Sequence, residues 1–281
     1  MRRTAVCEVV DGGAGLWRPP GVVGYRGLRL SGREPRRGLE LPDGCVTVLL
    51  LFDGEVRVAP VTERRDAVSA RRVLVSGPST TAYVGEHSAE LHGVEMLLQP
   101  WLAHSVFGVP MSGLTGIRAD AGADRRLTAL AGDLAAPAGW RERFAVLDET
   151  LGAWSAAGPA PAPQVVAAWS DLVAGEGLVS VGDLAAGVGW GRRRLQSGFR
   201  EQIGLSPKAA ARVLRLHKAI RLLARRAGFS QVATACGFCD QAHFSRDFKQ
   251  LTGLTPGGYL AGGIRTFSGR CAFLQYGGAG G

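Results

Sequence analysis

The sequence predicts an α+β fold in which a small β-rich domain with one or two helices precedes an all-α domain. Three observations lead to this prediction. Residues 40–100 hold four apolar or β-branched runs separated by glycine-containing turns. Residues 156–163, AAGPAPAP, alternate prolines in a way that no regular helix accommodates. Beyond them, apolar residues recur at helical spacing and one segment is written twice.

The four apolar runs of the N-terminal half are predicted to be β-strands. They read VTVLLLF, EVRVAPV, ARRVLVSG and AELHGVEMLLQ, and they are rich in the β-branched residues that pleated sheets favour. Residues 101–109 and 124–154 are predicted to be helical, because Leu127, Leu130 and Leu134 would share one helix face. This half is therefore expected to be a small β-rich domain that ends in helices.

The prolines and the change of pattern divide the chain into units. The predicted units are a β-rich domain over 1–155, a Pro/Ala linker over 156–164, a helical domain over 165–262 with helix-turn-helix motifs over 181–203 and 230–252, and a tail over 263–281.

The most informative feature of the sequence is a segment that recurs in similar form. AAGVGWGRRRLQSGFREQIGLSP, residues 185–207, recurs as ATACGFCDQAHFSRDFKQLTGLTP, residues 233–256. Each copy has a short apolar helix, a glycine turn and a second helix with Arg, Lys and Gln on its outer face. This pattern is typical of a helix-turn-helix. The predicted helix starts are at Ser180, with Asp183 three residues later, Ser206-Pro207, Ser230, Asp240 and Thr255-Pro256.

The net excess of positive charge lies mainly in the segment that carries the repeat. The chain has a formal net charge of +9, yet residues 1–174 hold 18 Lys and Arg against 19 Asp and Glu. Residues 175–262 hold 13 against 5. A positive field of this kind favours a polyanionic partner and makes binding depend on salt. No apolar run reaches the length of a signal peptide or a membrane span, so we expect a cytoplasmic, nucleoid-associated protein without a membrane partner.

Residues 165–262 resemble the DNA-binding domain of the AraC/XylS family of bacterial transcription regulators. The stretch GFCDQAHFSRDFKQLTGLTPGGY is similar to the signature of that family. The resemblance implies seven helices, with those over 191–203 and 240–252 entering successive major-groove segments of promoter DNA. LPDGCVTVLLLF and LLQPWLAHSVFGVPMSGLTG resemble, less specifically, a β-rich regulatory domain from one branch of the same family.

The predicted DNA contacts fall into two classes. Carried over by position, the residues that face bases are Arg193, Gln196, Ser197, Gln241, Ala242 and Arg246. The residues expected to meet phosphates, which position a protein without reading sequence, are Arg192, Arg194, Arg200, Lys208, Arg212, Arg215, Arg221 and Lys249. Ser197 stands where the family often has Arg, and Gly198 weakens the first reading helix by up to about 1 kcal/mol.

Other functions are considered on single features. The chain has no GxSxG, HExxH or phosphate-binding glycine loop, so we predict no enzyme and no cofactor. Cys236 and Cys239 form a CxxC that lacks a second pair, and packing explains it better than zinc. The residues considered for a cupin-like metal site, which lack its spacing, are His87, His92, Glu95 and His104; those considered for an apolar pocket are Trp17, Tyr25, Tyr83 and Trp101.

Several partners remain open for the N-terminal half. It could bind a small-molecule effector, form a homodimer, contact RNA polymerase, or combine these roles. The alternative from another class is an alkyl-transfer-like enzyme fused to a DNA-binding domain. Such an enzyme needs a reactive cysteine in a catalytic setting, and neither Cys7 nor Cys45 has one in the sequence.

Overall fold

The computed structural model describes residues 6–11, 18–32, 34–61, 67–120, 124–136 and 139–262. The predicted tail over 263–281 and Trp17, one of the candidate pocket residues, lie outside this part of the chain.

Among the described residues of the N-terminal half, ten strands form two antiparallel sheets. Their bounds are β1 (Val6–Asp11), β2 (Val22–Ser31), β3 (Arg36–Glu40), β4 (Val46–Asp53), β5 (Val56–Pro60), β6 (Val68–Ala70), β7 (Val73–Ser76), β8 (Tyr83–His87), β9 (Glu90–Leu98) and β10 (Ile117–Ala119). One sheet has the order β1-β2-β9-β4-β7-β10, and the other has the order β3-β8-β5-β6. The four predicted strands are confirmed as β4, β5, β7 and β9.

The centre of the six-stranded sheet is buried on both faces, as the continuous apolar run of β4 predicts. Val48 and Leu50 point to one face and pack against the helices of this half. Leu49 and Leu51 point to the other face, toward Val58 of the four-stranded sheet. Alternate side chains of a strand lie on opposite faces, so a strand buried on both has no polar alternation.

Gly93 marks a close approach of two neighbouring strands in the six-stranded sheet. It lies inside β9, where a Cβ atom would stand 2.4 Å from the carbonyl oxygen of Leu50 on β4. A glycine inside a strand often marks such a close approach of two backbones.

The described part of the N-terminal half already holds three α-helices, so the prediction of one or two was too low. They are α1 (Pro100–Phe107), α2 (Arg125–Ala135) and α3 (Trp140–Ala157), with a 3₁₀ turn at Met111–Gly113. The segment predicted as helical over 124–154 is broken in two. Its sequence there is AAPAG, and proline lacks the N–H that an α-helix needs at an interior position.

Residues 163–262, all of them described, hold the seven helices that the resemblance implies. They are α4 (Pro163–Ala174), α5 (Val181–Gly187), α6 (Arg192–Gln202), α7 (Pro207–Ala224), α8 (Phe229–Ala235), α9 (Gln241–Thr252) and α10 (Pro256–Ala261). Four predicted N-caps are confirmed: the side chains of Ser180, Ser206, Asp240 and Thr255 each accept a hydrogen bond from the backbone N–H three residues later, at 3.1, 3.2, 2.6 and 3.1 Å.

Hydrogen bonds join the two halves near the predicted linker. The Ser105 hydroxyl of α1 donates to the carbonyl oxygen of Pro159 at 2.8 Å. The Trp169 indole of α4 donates to the Gln99 side chain at 2.7 Å. The segment between α3 and α4 therefore lies against α1, and the domain boundaries themselves stay a prediction.

A second contact joins the β-rich half to the helices of the second repeat copy. The Ala82 N–H donates to the carbonyl oxygen of Leu251 at 3.1 Å, which satisfies one of the last carbonyls of α9. The His217 Nε2 of α7 lies 2.8 Å from the carbonyl oxygen of Pro42, to which it donates. The apolar side chains that pack around these bonds are Leu39, Leu41, Val61, Ala82, Ile220, Leu254 and Tyr259. The β-rich half therefore contacts the C-terminal end of α9.

Candidate nucleic-acid interface

The first helix-turn-helix consists of α5 and α6. The chain turns between them at Gly189, whose φ of +68° is the left-handed conformation that glycine adopts without strain. Leu195 and Phe199 of α6 are fully buried, and the Phe199 ring packs against Trp169 of α4 at 6.4 Å between centroids. The buried side of α6 is therefore fixed as the sequence predicts.

The opposite side of α6 faces solvent. Its exposed residues include every predicted contact of this helix: Arg192, Arg193, Arg194, Gln196, Ser197 and Arg200. The Arg194 guanidinium lies 4.3 Å from the centre of the Trp190 ring, an interaction that leaves it at the surface. The assignment of these residues to bases and phosphates stays a prediction.

Gly198 has a packing role that its low helix propensity does not suggest. It is buried, and a Cβ atom at this position would stand 2.8 Å from Val165 Cγ2 and 3.2 Å from the Trp190 ring. A side chain here would push α6 away from α4. The glycine therefore sets how closely the first reading helix lies on its support.

The second helix-turn-helix consists of α8 and α9. Phe244 and Phe248 of α9 are each 1% exposed, and their rings pack edge to face at 5.7 Å. The turn at Gly237 repeats the left-handed conformation of the first copy, with φ of +69°. The exposed residues of α9 include the predicted contacts Gln241, Ala242, Arg246 and Lys249.

The prediction that Ser230 caps α8 is wrong. The helix begins at Phe229, and its N-cap is Gly228, two residues before Ser230, because the Gln231 side chain accepts a hydrogen bond from the Gly228 N–H at 3.2 Å. The Ser230 hydroxyl instead lies 3.1 Å from Gln241 Oε1. One end of the Gln241 amide is thus held by α8, which the sequence did not indicate.

The CxxC motif divides between the core and the surface. Cys236 is fully buried and Cys239 is exposed, so the two thiols lie in different environments. Burial raises the pKa of the Cys236 thiol above its ordinary value, so it stays protonated. The described residues contain no group of three or more His, Cys, Asp and Glu side chains that could hold a metal ion.

Arg212 lies on α7 and forms an ion pair with a carboxylate of α9. It donates to Asp247 Oδ1 at 2.8 and 2.6 Å and to Gln250 Oε1 at 2.7 Å. Its side chain is only 22% exposed. The contact ties the helix that joins the two repeat copies to the second reading helix.

Two further predicted phosphate contacts also point into the domain. Arg221 pairs with Glu176, which Lys218 also contacts at 2.7 Å. Burial alone would raise the pKa of Glu176, but the hydrogen bonds and charges of these two cations lower it. The Arg215 guanidinium lies 4.9 Å from the centre of the Phe238 ring. Because Arg212, Arg215 and Arg221 have these internal partners, we leave them out of the proposed phosphate contacts below.

A signal in the sequence points to the Arg212 contact. Asp247 lies on α9 beside Arg246, and a carboxylate on a DNA-reading helix is repelled by phosphates unless a cation neutralises it. An acidic residue inside a basic helix therefore predicts an internal partner. Which cation is the partner depends on how α7 packs against α9, since Arg212 and Asp247 are 35 residues apart in the sequence.

Comparisons with known proteins concern mainly the helical half. Residues 184–262 match the model of a helix-turn-helix domain. The chain is 34% identical over 82 residues to the "Probable transcriptional regulator LumQ" of Photobacterium leiognathi, which is 29% of this chain and 33% of that protein. It is 43% identical over 68 residues to the "HTH-type transcriptional activator RhaR" of Pectobacterium atrosepticum, 24% of each. The matches thus span a third or less of the length of these relatives.

A solved structure of apo ToxT from Vibrio cholerae covers 86% of this chain and 98% of its own, with 11% identity and a TM-score of 0.45. The assignment of the C-terminal domain depends on the sequence matches and on the two helix-turn-helix units described above. The chain therefore carries an AraC-type helix-turn-helix domain in its C-terminal region, behind a β-rich N-terminal domain.

Proposed function

We propose that the chain is a transcription regulator that binds promoter DNA with two different reading helices, α6 and α9. The observation that carries the proposal is the pairing of a buried aromatic side with an exposed polar and cationic side on both helices. The exposed sides differ, with Arg193 and Gln196 on α6 and Gln241 and Arg246 on α9. One chain would then recognise a non-palindromic site of two segments about one helical turn apart.

A gel-shift titration tests the proposal directly. The full chain is mixed with promoter fragments from its own genome and with a coding fragment of equal length. We expect at least one promoter fragment to shift at a lower protein concentration than the coding fragment. If no fragment shifts even at low salt, where phosphate contacts are strongest, the proposal is contradicted.

Replacing Arg246 by alanine is expected to relax sequence preference. Arginine can bind guanine with two hydrogen bonds in the major groove, which provides about 1–3 kcal/mol of discrimination. Selection from random DNA should therefore give a site that is degenerate at one or two positions in one segment and unchanged in the other. A selected site identical to that of the unaltered protein would remove Arg246 from the base contacts.

Phosphate contacts are expected at Arg192, Arg194, Arg200, Lys208 and Lys249, which are exposed. Lys249→Gln should weaken binding to all DNA and lower the slope of log K against log salt by about 0.9. Arg221→Gln should leave that slope unchanged and lower the stability of the protein, because its charge pairs with Glu176. Fluorescence anisotropy between about 50 and about 200 mM salt measures the slopes. Equal changes in both variants would contradict this division.

The cellular location, an effector, RNA polymerase contact and homodimer formation are also proposals. DNA as the partner would place the protein at the nucleoid. No described helix is long and apolar enough to cross a lipid bilayer. A cavity between the two sheets supports a small-molecule effector, whereas contact with RNA polymerase and homodimer formation depend only on the resemblance. The enzyme alternative gains no support from the described residues, since Cys45 is 1% exposed.

A further inference from the structure

The two sheets of the N-terminal half do not fill the space between them. A cavity of about 420 Å³ lies there, within the range of small-molecule sites. Its walls are mainly leucine and valine side chains from β2, β4, β5, β7 and β9, for example Leu28, Leu49, Val58, Leu74 and Leu91. Such walls favour an apolar molecule of modest size. Of the four candidate pocket residues, Tyr83 lines the cavity, whereas Tyr25 is buried among the core residues and Trp101 packs against them on the helical side.

Hydroxyl groups collect at one end of this cavity. Thr47 and Ser76 are direct neighbours across β4 and β7, and both line it. The Tyr83 hydroxyl lies beside Gly116, whose carbonyl oxygen accepts a hydrogen bond from the N–H of Gly77, the residue after Ser76. A bound molecule would find hydroxyls here that can both donate and accept hydrogen bonds.

The carboxylate of Asp43 makes the polar end of the cavity unfavourable for an anion. Asp43 lines the same end, and its Oδ1 accepts a hydrogen bond from the Cys45 N–H at 3.0 Å. Among the described residues, no hydrogen-bond donor contacts its other oxygen. Arg26 is paired with Glu95 within the cavity wall, so its charge is already neutralised.

We propose that this cavity binds an apolar small molecule that ends in a hydroxyl or a protonated amine, and that it rejects the corresponding carboxylate. A hydroxyl or an ammonium group can donate to Asp43, whereas a carboxylate cannot donate and would repel it at short range. The apolar body of the molecule would lie along the leucine and valine walls.

The position of the polar end gives this site a regulatory consequence, which rests on the proposed DNA-binding function. Leu41 belongs both to the cavity wall and to the apolar cluster that contacts α7 and α10. Between Leu41 and Asp43, the Pro42 carbonyl oxygen accepts the hydrogen bond from His217. Asp43 in turn accepts the Ser79 N–H through its own carbonyl oxygen at 2.9 Å. A ligand that contacts Asp43 therefore touches the segment that holds the second helix-turn-helix.

Calorimetric titration of the full chain tests the binding step. The probes are naphthylmethanol, naphthylmethylamine and naphthoate, which share one apolar body and differ only in the polar end. We expect saturable binding of the alcohol and the amine at least about tenfold tighter than that of the carboxylate. Tighter binding of naphthoate, or no saturable binding by any probe, would overturn the proposal.

Two variants locate the site. Asp43→Asn keeps an oxygen for the Cys45 N–H and removes the charge, so it should reduce the preference for the amine over naphthoate about tenfold. Leu74→Trp fills the cavity and should abolish binding of all three probes. A thermal melt confirms that each variant is folded. Unchanged amine affinity in both variants would place the binding elsewhere and overturn the proposal.

Hydrogen exchange tests the regulatory consequence without knowledge of the operator. With naphthylmethylamine bound, we expect changed protection over 241–254, at α9, and little change over 192–204, at α6. If the probe binds and protection over 241–254 does not change, the coupling is overturned. If the chain shifts promoter DNA but binds no probe, the proposed DNA-binding function stands and the ligand site falls.

Discussion

Phe248→Ala is expected to destabilise the helical half by about 3–5 kcal/mol, the usual result of truncating a buried phenylalanine. Phe248 is 1% exposed and lies between the rings of Phe244 at 5.7 Å and Tyr259 at 5.6 Å. The alanine variant would leave a cavity between α9 and the helices α7, α8 and α10 that pack against it. Such a loss is a large part of the 5–15 kcal/mol that holds a typical domain together. The second reading helix should therefore lose its fixed position, and specific DNA binding should fall with it.

Urea unfolding followed by circular dichroism measures this effect, and Lys249→Ala is its matched control. Lys249 is the next residue of the same helix and is exposed, so its truncation should change the unfolding free energy by no more than about 0.5 kcal/mol. Phe199→Ala is the equivalent change in the first copy of the repeat, where the buried partner is Trp169. A loss below about 1 kcal/mol at both phenylalanines would contradict the packing described for the two reading helices.

The helical half could be predicted well because its signals are local. The N-cap Asp240, the His243 N–H that donates a hydrogen bond to it, and the buried phenylalanines all lie at the start of α9 or within it. Ser230 shows the limit of such reasoning. Serine and glycine are both acceptable N-caps, and the side chain of Gln231 decided between them. The sequence prediction therefore misplaced the N-cap of α8 by two residues.

The N-terminal half was harder because its cavity weakens the strand pattern. The sequence RRGLE of β3 does not look like a strand, since the side chains of Arg36 and Glu40 line the cavity rather than a packed core. In β2 the inward position Arg26 is also charged, and its partner Glu95 lies 69 residues away on β9. Apolar alternation is the usual signal of a half-buried strand, and charged inward residues remove it.

The partners of the predicted phosphate contacts could not be predicted for a similar reason. Arg212 and Asp247 are 35 residues apart, and Arg221 and Glu176 are 45 residues apart. Whether an arginine faces phosphate or an internal carboxylate depends on how the helices pack. The composition of one helix does not contain this information, so the exposed residues of α6 and α9 are the firmer part of the predicted interface.

The contact of both reading helices with the β-rich half was also not indicated by the sequence. Gly204 after α6 and Gly253 after α9 occupy equivalent positions in the two copies, and both are left-handed, with φ of +86° and +77°. A Cβ atom at Gly204 would lie 3.0 Å from the carbonyl oxygen of Met111, and one at Gly253 would lie 2.5 Å from Val61 Cγ1. The β-rich half thus contacts the same corner of both helix-turn-helix units, which gives it a means to fix their relative position on DNA.

Gly253→Ala is expected to cost about 1–3 kcal/mol through its positive φ, and about 1–3 kcal/mol more through its clash with Val61. Valine is stiff at χ1, so its methyl group cannot move aside without shifting the backbone. Gly189→Ala is the matched control, because Gly189 has a similar φ of +68° and no atom within 4 Å of a Cβ. Thermal unfolding should therefore show a larger loss at 253 than at 189.

The Val61→Ala background separates the two costs. With the Val61 methyl groups removed, the loss caused by Gly253→Ala should fall to that of Gly189→Ala, since only the conformational cost of a positive φ is left. The same double variant should recover DNA binding that Gly253→Ala loses, because α9 returns to its position against the β-rich half. If the loss at 253 is the same in both backgrounds, Val61 does not press on this corner. The β-rich half would then act on the second reading helix through its other contacts, which include the Ala82 N–H bond to Leu251 and the Pro42 carbonyl bond to His217.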